Sequence, residues 1–295
     1  MQLKVFLTGP TGYIGGAVAD ALLSAGHSVV GLARSDEAAR RLTAKGIIPF
    51  HGDLNSPANL AKAAVESDGV IHAGTTNDGR IDQEAVRAML DALRGSSKPF
   101  LYTSGIWVLG DTGGKIADET WPANPAALVA WRPEVEQLVL AAAPSGIRSI
   151  VIRPGIVYGH GGGIPADFVK SARETGAARY VGTGENHWPL VHVEDLADLY
   201  CCALENATPG TLIHATDGSA YRVREIAEAA SFGAGAGGRT ESWPLEEARQ
   251  ALGAYADALV LDQLVSSAWR KPPACEGAKR SFALLDDLRN GSYAQ

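Results

Sequence analysis

Short apolar runs alternate with amphipathic stretches along most of the chain. The runs are rich in Val, Ile, Leu and aromatic residues, which predicts buried strands. The stretches between them repeat apolar residues every three or four positions, as in Ile14, Val18 and Leu22, which predicts helices. The predicted strands are Lys4–Leu7, Ser28–Leu32, Ile47–Phe50, Gly69–His72, Phe100–Thr103, Arg148–Ile152 and Thr211–His214. The predicted helices are Tyr13–Ala25, Asp36–Lys45, 57–66, 80–95, 124–143, Asp195–Leu204 and Val223–Ala230.

The alternation of strands and helices predicts a doubly wound α/β fold. Right-handed crossovers between parallel strands place helices on both faces of such a sheet. After Pro154 the alternation loosens, and glycines cluster at 161–163 and at 233–238. The second cluster lies between helical patterns, so we interpret it as a loop. The pattern therefore predicts a parallel Rossmann sheet followed by a smaller, partly discontinuous C-terminal lobe.

Three glycines, Gly9, Gly12 and Gly15, follow the first predicted strand and open the first predicted helix. Gly9 permits a tight turn, Gly12 lets the backbone approach a pyrophosphate, and Gly15 lets the helix pack closely on the sheet. The helix N-terminus offers free N–H groups and a partial positive charge. A strand, this loop, a helix and a second strand form the context that a dinucleotide site requires. The alternative is a glycine-rich turn without a ligand. The loop residues expected to bind the cofactor are Gly9, Thr11, Gly12, Tyr13 and Ile14.

The end of the second predicted strand distinguishes between the two nicotinamide cofactors. An NAD site usually places Asp or Glu there to hold the ribose hydroxyls, whereas this chain has Arg34 and Ser35. Arg34 can pair with a 2′-phosphate and stack on adenine. The alternative is a solvated surface arginine. The sequence therefore favours NADPH over NAD.

These signals predict the domain organisation. We expect residues 1–155, with contributions from about 188–215, to form a dinucleotide-binding Rossmann domain. Residues 156–187 and 216–295 are expected to form the substrate-binding lobe. The substrate cleft should lie at the carboxyl ends of the strands.

Charge and composition exclude several classes of function. The net charge of −7 argues against a nucleic-acid partner, which would require a basic surface. The first residues lack the basic and apolar regions of a signal peptide, and no apolar run approaches membrane-spanning length. No cysteine spacing suits zinc, so we expect no metal site. A cytoplasmic protein that acts on a small-molecule substrate, away from membranes, is the resulting expectation.

Several motifs recur in the order and at the spacing of one known superfamily. The matching segments are Thr8–Gly15, His51–Leu54, Gly69–Ala73, Tyr102–Ser104, Arg153–Gly159 and Trp188–Ala197. Together they resemble the extended or atypical short-chain dehydrogenase/reductases, in the NAD-dependent epimerase/dehydratase branch. The resemblance covers nearly the whole chain, and it is more specific for the fold than for the substrate.

The resemblance implies further cofactor contacts. Asp53 and Leu54 would flank the adenine, and Ala73 and Gly74 would border the ribose and pyrophosphate. The segment Pro154–Val157 would form the wall near the nicotinamide. Further residues that the resemblance places at the cofactor are Thr103, Pro154, Gly155 and Val157. It also implies a homodimer through two helices, and structural roles for His192 and Asp195.

The catalytic residues of the family are replaced. The usual chemistry needs a Tyr that exchanges a proton with the substrate oxygen and a Lys four residues later, on the same helix face. The alignment places Leu128 and Arg132 at these positions, and Gly105 at the usual Ser. Arg132 can orient the ribose or stabilise an oxyanion. The alternative is an ordinary ion pair with Glu136, one helical turn away.

Two further residues are candidates for proton transfer. Tyr158 follows a predicted strand and should lie near the cleft, although packing is its alternative role. Ser104 can donate a hydrogen bond but is a weak acid without help. With Arg132, these form the set of candidate catalytic residues.

Three functions remain open. The favoured one is an NADPH-dependent oxidoreductase that reduces a small carbonyl, imine or activated alkene. The second is a nucleotide-sugar epimerase or dehydratase, which the loss of Tyr and Lys disfavours. The third is a non-catalytic regulator that senses NADP(H) and binds a partner protein.

Overall fold

A computed structural model of the chain describes residues 2–76, 78–269 and 283–294. The strands are β1 (Lys4–Thr8), β2 (Ser28–Ala33), β3 (Ile48–His51), β4 (Gly69–His72), β5 (Pro99–Thr103), β6 (Ile116–Ala117), β7 (Arg148–Pro154), β8 (Ile156–Tyr158), β9 (Ala178–Val181), β10 (His187–His192), β11 (Thr211–Ala215), β12 (Ala220–Arg222), β13 (Thr240–Trp243) and β14 (Leu264–Val265). The helices are α1 (Tyr13–Ser24), α2 (Asp36–Ala44), α3 (Pro57–Val65), α4 (Gly79–Leu93), α5 (Arg132–Leu140), α6 (Pro165–Thr175), α7 (Val193–Asn206), α8 (Val223–Gly233), α9 (Leu245–Leu252), α10 (Ala254–Leu259) and α11 (Leu284–Asn290).

Seven parallel strands form the central sheet in the order β11-β7-β5-β4-β1-β2-β3. All seven strands predicted from the apolar pattern lie in this sheet, which confirms the doubly wound α/β fold. The chain builds outward from β1 to β3, then crosses over and builds from β4 to β11. The reversal between β1 and β4 leaves a crevice at the carboxyl ends of the strands.

Helices cover both faces of the sheet with separate apolar cores. On one face, Leu22 of α1, Leu42 of α2 and Tyr200 of α7 belong to a single buried cluster. On the other face, α3, α4 and α5 pack around residues such as Leu60 and Met89. Burial on both faces explains why the strands read as continuous apolar runs.

The predicted helix over 124–143 is wrong in its first part. Residues Ala127–Val129 form a short 3-10 turn, and α5 begins only at Arg132. Pro133 lies in the first turn of α5, where backbone N–H groups have no acceptor within the helix, so the lack of an N–H costs no hydrogen bond. In a helix continuing from residue 124, the Pro133 ring would clash with the carbonyl of Val129. Leu128 and Arg132 therefore do not share the face of one helix.

The C-terminal lobe has its own core. Strand β10 pairs in parallel with β8 and antiparallel with β12, and α6, α8 and α11 pack against this small sheet. Trp188 and Tyr158 are buried at its centre. Strand β11 joins the central sheet and α7 covers it, whereas β10 belongs to the second lobe. The domain boundaries themselves stay a prediction.

Helix α7 begins directly after β10. The His192 Nδ1 accepts a hydrogen bond from the Glu194 amide at 3.2 Å and so caps this helix. Within the described residues, none of the helices combines the length and apolar character that crossing a bilayer would require.

Candidate functional site

The glycine loop between β1 and α1 has the close contacts that its spacing predicts. Gly9 adopts a left-handed φ of 70°, and a Cβ there would lie 2.8 Å from the Ala73 carbonyl oxygen. The Gly12 amide donates to the Gly9 carbonyl at 3.0 Å. A Cβ on Gly15 would lie only 2.1 Å from the Gly9 carbonyl oxygen. The loop therefore folds tightly against α1 and the end of β4, and its backbone lies open to a ligand.

The N-terminus of α1 suits an anion. It begins directly after Gly12, no side chain caps it, and its first turn carries no acidic residue. Free N–H groups and the helix dipole favour a phosphate at such an end. The loop residues predicted to bind a pyrophosphate, Thr11 to Ile14, surround this end. A dinucleotide fits the chemistry of this cradle.

The next two strands bring the predicted adenosine contacts to the same edge of the sheet. Arg34 is exposed directly after β2, and the Ser35 hydroxyl accepts from the Ala38 amide, which caps α2. Asp53 follows β3 and accepts hydrogen bonds from the Asn55 amide and the Ser56 hydroxyl, both at 3.0 Å. Leu54 is buried. Ser35 and Asp53 therefore also shape their own turns.

A cleft of about 340 Å³ opens beside the glycine loop, at the carboxyl ends of β1, β5 and β7. Its walls are largely apolar. The predicted site residues that line it are Tyr13, Ile14, Ser104, Arg132, Pro154, Gly155 and Val157. Apolar walls come from Ile106, Trp107, Leu128, Val129, Trp131 and Ile164. We refer to this cavity as the cleft.

Ser104 and Arg132 are the candidate catalytic residues that line the cleft. The Ser104 hydroxyl is buried without a hydrogen-bond partner in the described protein. Buried polar atoms are nearly always paired in folded proteins, so this hydroxyl has hydrogen-bonding capacity that the described protein does not use. Tyr13 crosses the rim, and its hydroxyl donates to the Gly159 carbonyl at 2.7 Å.

The structure places Arg132 toward the sheet rather than toward Glu136. Its guanidinium donates to the Thr103 carbonyl at 2.8 Å and stacks on Trp131, with its central carbon 4.7 Å from the ring centre. Glu136 instead binds Arg153 in a buried bidentate pair. The alternative in which Arg132 and Glu136 form a surface ion pair is therefore wrong.

A buried network links Arg132 to the glycine loop. The Thr8 hydroxyl accepts the amides of Ala73 and Gly74, so its own proton goes to His72 Nδ1 at 2.8 Å. His72 Nε2 then donates to Asp82 at 3.1 Å. A second branch of the network is formed by Tyr102 and Arg132: the Tyr102 hydroxyl donates to Asp82 at 2.8 Å, and Arg132 donates to Tyr102 at 3.4 Å.

Opposing effects set the pKa of Asp82. Burial raises this pKa. Hydrogen bonds from His72 and Tyr102 and the charge of Arg132 lower it by a larger amount, so the net shift is downward. Burial, followed by the Asp82 charge, raises the pKa of Tyr102 well above its usual value. Asp82 is therefore an anion in the core, held opposite Arg132. Sequence reasoning missed Asp82, because one acidic residue in an amphipathic helix gives no signal.

Tyr158 lies outside the cleft lining. It is 1% exposed in the core of the C-terminal lobe, and its hydroxyl donates to Asp217 at 3.3 Å. Burial and the Asp217 charge raise its pKa. His192 packs edge-on against the ring, 5.2 Å between centres. This environment matches the packing role.

The remaining predicted residues border the cleft or cradle. The Thr103 hydroxyl pairs with that of Tyr200 at 2.6 Å. A Cβ on Gly155 would lie 2.6 Å from the Pro189 carbonyl oxygen, so only glycine allows this approach of β10. Among the described residues, no group of three potential metal ligands is close enough to hold a metal ion.

Comparison with known proteins places the chain in a family. A 238-residue segment is 39% identical to the uncharacterized protein YLL056C of Saccharomyces cerevisiae, covering 76% of this chain and 78% of that protein. The chain is 29% identical over 237 residues to a 4-hydroxy-2-methyl-3-oxo-4-farnesyl-3,4-dihydroquinoline-1-oxide ketoreductase of Stigmatella aurantiaca, covering 76% and 71% of the two chains.

Solved structures show the same fold. A Thermus thermophilus UDP-glucose 4-epimerase in complex with NAD superposes with a TM-score of 0.76 at 21% identity, covering 99% of this chain and 98% of that one. Residues 5–214 match the model of the NAD dependent epimerase/dehydratase family. This match spans the glycine loop, nearly all of the central sheet and every residue that lines the cleft, and the chain belongs to the NAD dependent epimerase/dehydratase family.

Proposed function

We propose that this chain is a reductase that uses NADPH to reduce a small, largely apolar carbonyl, imine or activated alkene. The observation that carries the proposal is the cleft itself. It adjoins the cofactor cradle, its walls are largely apolar, and Ser104 and Arg132 are among its lining residues. The cofactor supplies the hydride in such reactions, and the protein binds, orients and stabilises charge.

Arg132 is suited to stabilise the oxygen of the substrate. Reduction of a carbonyl develops negative charge on oxygen. A guanidinium has five N–H donors, and here the Nη1 nitrogen donates to Thr103 and Tyr102, which leaves the donors on the other two nitrogens. Because Arg stays protonated at accessible pH, it does not relay a proton. The Ser104 hydroxyl makes no hydrogen bond with the described protein and is the candidate second donor to that oxygen, and the proton that completes the reduction comes from water.

The preference for NADPH rests on Arg34. It follows β2 at the position where an acidic residue would hold the ribose of NAD, and its side chain is exposed and so free to reach a 2′-phosphate. The acidic first turn of α2, Asp36 and Glu37, lies beside it. A single arginine would therefore carry most of the discrimination.

The relatives support a ketone substrate over a nucleotide sugar. The Stigmatella aurantiaca relative is named as a ketoreductase of a farnesyl-bearing compound. A nucleotide sugar carries two phosphates and several hydroxyls. Among the described residues that line the cleft, Arg132 is the only cationic side chain. The epimerase or dehydratase alternative also requires a catalytic Tyr, and we assign Leu128 to the position of that Tyr.

The test is consumption of NADPH with a panel of ketones, aldehydes, imines and activated alkenes. Arg132→Met should lower kcat/KM about 10²–10³-fold, as expected when one oxyanion donor is lost, with NADPH affinity changed far less. The matched control is Arg94→Met, since Arg94 is exposed and pairs with Asp91 on α4. Tight binding of NADPH without turnover of any compound would contradict the proposal and favour the regulator.

A further inference from the structure

A second cavity lies in the C-terminal lobe, next to the cleft. It also measures about 340 Å³ and is enclosed by α6, β9, β13 and the α9–α10 pair. We refer to it as the annex. Five aromatic residues line it: Phe168, Tyr180, Trp188, Trp243 and Tyr255.

A thin partition separates the annex from the cleft. Ile164 lines both cavities. Trp107 lines the cleft and packs edge-to-face against Tyr255 of the annex, with 5.9 Å between ring centres. A ligand that enters both cavities would pass along these three side chains.

The walls of the annex suit a planar apolar group. Phe168 stacks on Trp188 with 5.7 Å between centres and 18° between planes. Trp188 is 1% exposed, and its Nε1–H donates to the Leu259 carbonyl at 3.1 Å, so this back wall is fixed. Aromatic faces and edges favour further rings. An apolar cavity of about 150 Å³ is enough for benzene, so the annex has room for a substituted ring.

The charges of the annex exclude a strongly anionic ligand. Two acidic and two basic side chains line it: Asp167, Lys170, Glu174 and Arg179. Arg179 is already stacked on Trp243, 4.9 Å from the ring centre. The annex therefore offers no excess of positive charge for a diphosphate, and a neutral group fits it best.

Trp107, which lines the cleft and packs on Tyr255, carries an unpaired donor. The Trp107 Nε1 is buried and makes no hydrogen bond with the described protein. A buried N–H is costly without an acceptor, so a polar atom of a ligand at this point would complete the site. The annex therefore extends the cleft with a largely aromatic space, and Trp107 stands beside it.

We propose that the annex binds an aromatic ring of the same substrate whose reducible bond lies in the cleft. This inference rests on the proposed reductase activity and narrows its substrate class to neutral carbonyl compounds with an aromatic substituent a few atoms away.

The test compares two ketones with the same reducible group, butanone and benzylacetone. With NADPH, the full-length protein should show a kcat/KM at least about tenfold higher for benzylacetone, the range that apolar pocket contacts provide. Leu252→Arg, at the exposed rim of the annex, should remove most of this preference, and Trp243→Ala should reduce it. Phe232→Ser is the control, because Phe232 is exposed and lies away from both cavities.

Calorimetric titration of benzylacetone separates the two proposals. Binding of benzylacetone that Leu252→Arg weakens at least about tenfold, with no turnover of these ketones or of any other compound in the panel, would support the annex and overturn the reductase. Reduction of both ketones with equal kcat/KM, unchanged in Leu252→Arg, would support the reductase and overturn the annex. A preference for benzylacetone that survives both annex variants would also overturn it.

Discussion

Two neighbouring glycines of α1 allow a sharp test of the cofactor cradle. A Cβ on Gly15 would lie 2.1 Å from the carbonyl oxygen and 2.8 Å from the carbonyl carbon of Gly9, both backbone atoms of the loop. A Cβ on Gly16 would meet its nearest neighbour, the Pro10 carbonyl oxygen, at 3.6 Å, which is ordinary contact. Alanine at position 15 therefore has to displace the loop, whereas alanine at position 16 does not.

The structure sets the expected magnitudes. Either substitution gains about 0.8–1 kcal/mol of helix propensity. Because this gain is common to both, the difference between Gly15→Ala and Gly16→Ala isolates the clash, for which overpacking predicts about 1–3 kcal/mol. Displacing a binding loop by about 1 Å is expected to cost on the order of 10²-fold in function. Gly15→Ala should therefore bind NADPH about 10–100-fold more weakly.

Urea unfolding measures the first quantity, and quenching of protein fluorescence by NADPH measures the second. Gly16→Ala should be at least as stable as the parent chain and bind NADPH within about twofold of it. Equal NADPH affinity in the two variants would refute the assignment of this loop as the cofactor cradle. Equal stability would refute the close packing of α1 on the loop.

Further predictions concern charge. Arg34→Ala should weaken NADPH binding about tenfold or more and leave NADH binding nearly unchanged, measured by titration of both cofactors. An equal loss of affinity for the two cofactors would show that Arg34 does not contact the 2′-phosphate. Glu136→Gln leaves Arg153 charged and buried, so the free energy of unfolding should fall by about 3–5 kcal/mol in urea titrations. The same measurement on Arg94→Gln, which breaks an exposed pair, should show less than about 1 kcal/mol. Because the pKa of Asp82 is lowered in the folded protein, its stabilisation is present above the unfolded pKa of about 4 and is lost as pH falls through the folded value. Asp82→Asn should therefore flatten the acid limb of stability against pH, and an unchanged limb would contradict the lowered pKa.

The apolar pattern was sufficient to predict the central sheet. Parallel strands buried on both faces are continuous apolar runs, and all seven stand out in the sequence. The glycine loop could be predicted for a similar reason, since its spacing reflects local backbone contacts between Gly9 and Gly15. Both features depend on residues close together in the chain.

The interior of the cleft depends on residues far apart in the chain. Arg132 meets Thr103 at the start of α5, where the sequence pattern predicted the middle of one longer helix. Asp82 reaches His72 and Tyr102 across two strands. The annex joins α6, β9, β13, α9 and α10, which follow no strand–helix alternation. Periodicity predicts which face of an element is buried, but not which buried side chains meet.

The replacement of Tyr and Lys by Leu128 and Arg132, which we infer from the sequence, would change what the cleft can do. In the family pattern, Tyr and Lys act as a proton-transfer pair, and both depend on a shared helix face. Here the 3-10 turn before α5 separates position 128 from Arg132, so restoring Tyr at Leu128 alone would not rebuild that pair. In this proposal Arg132 supplies a fixed positive charge. Its guanidinium donates to the Thr103 carbonyl and to the Tyr102 hydroxyl, and that hydroxyl donates to the Asp82 carboxylate. A fixed charge stabilises a developing oxyanion but cannot drive the repeated proton exchange of an epimerase, and this physical difference favours one-way reduction of a carbonyl in an apolar cleft.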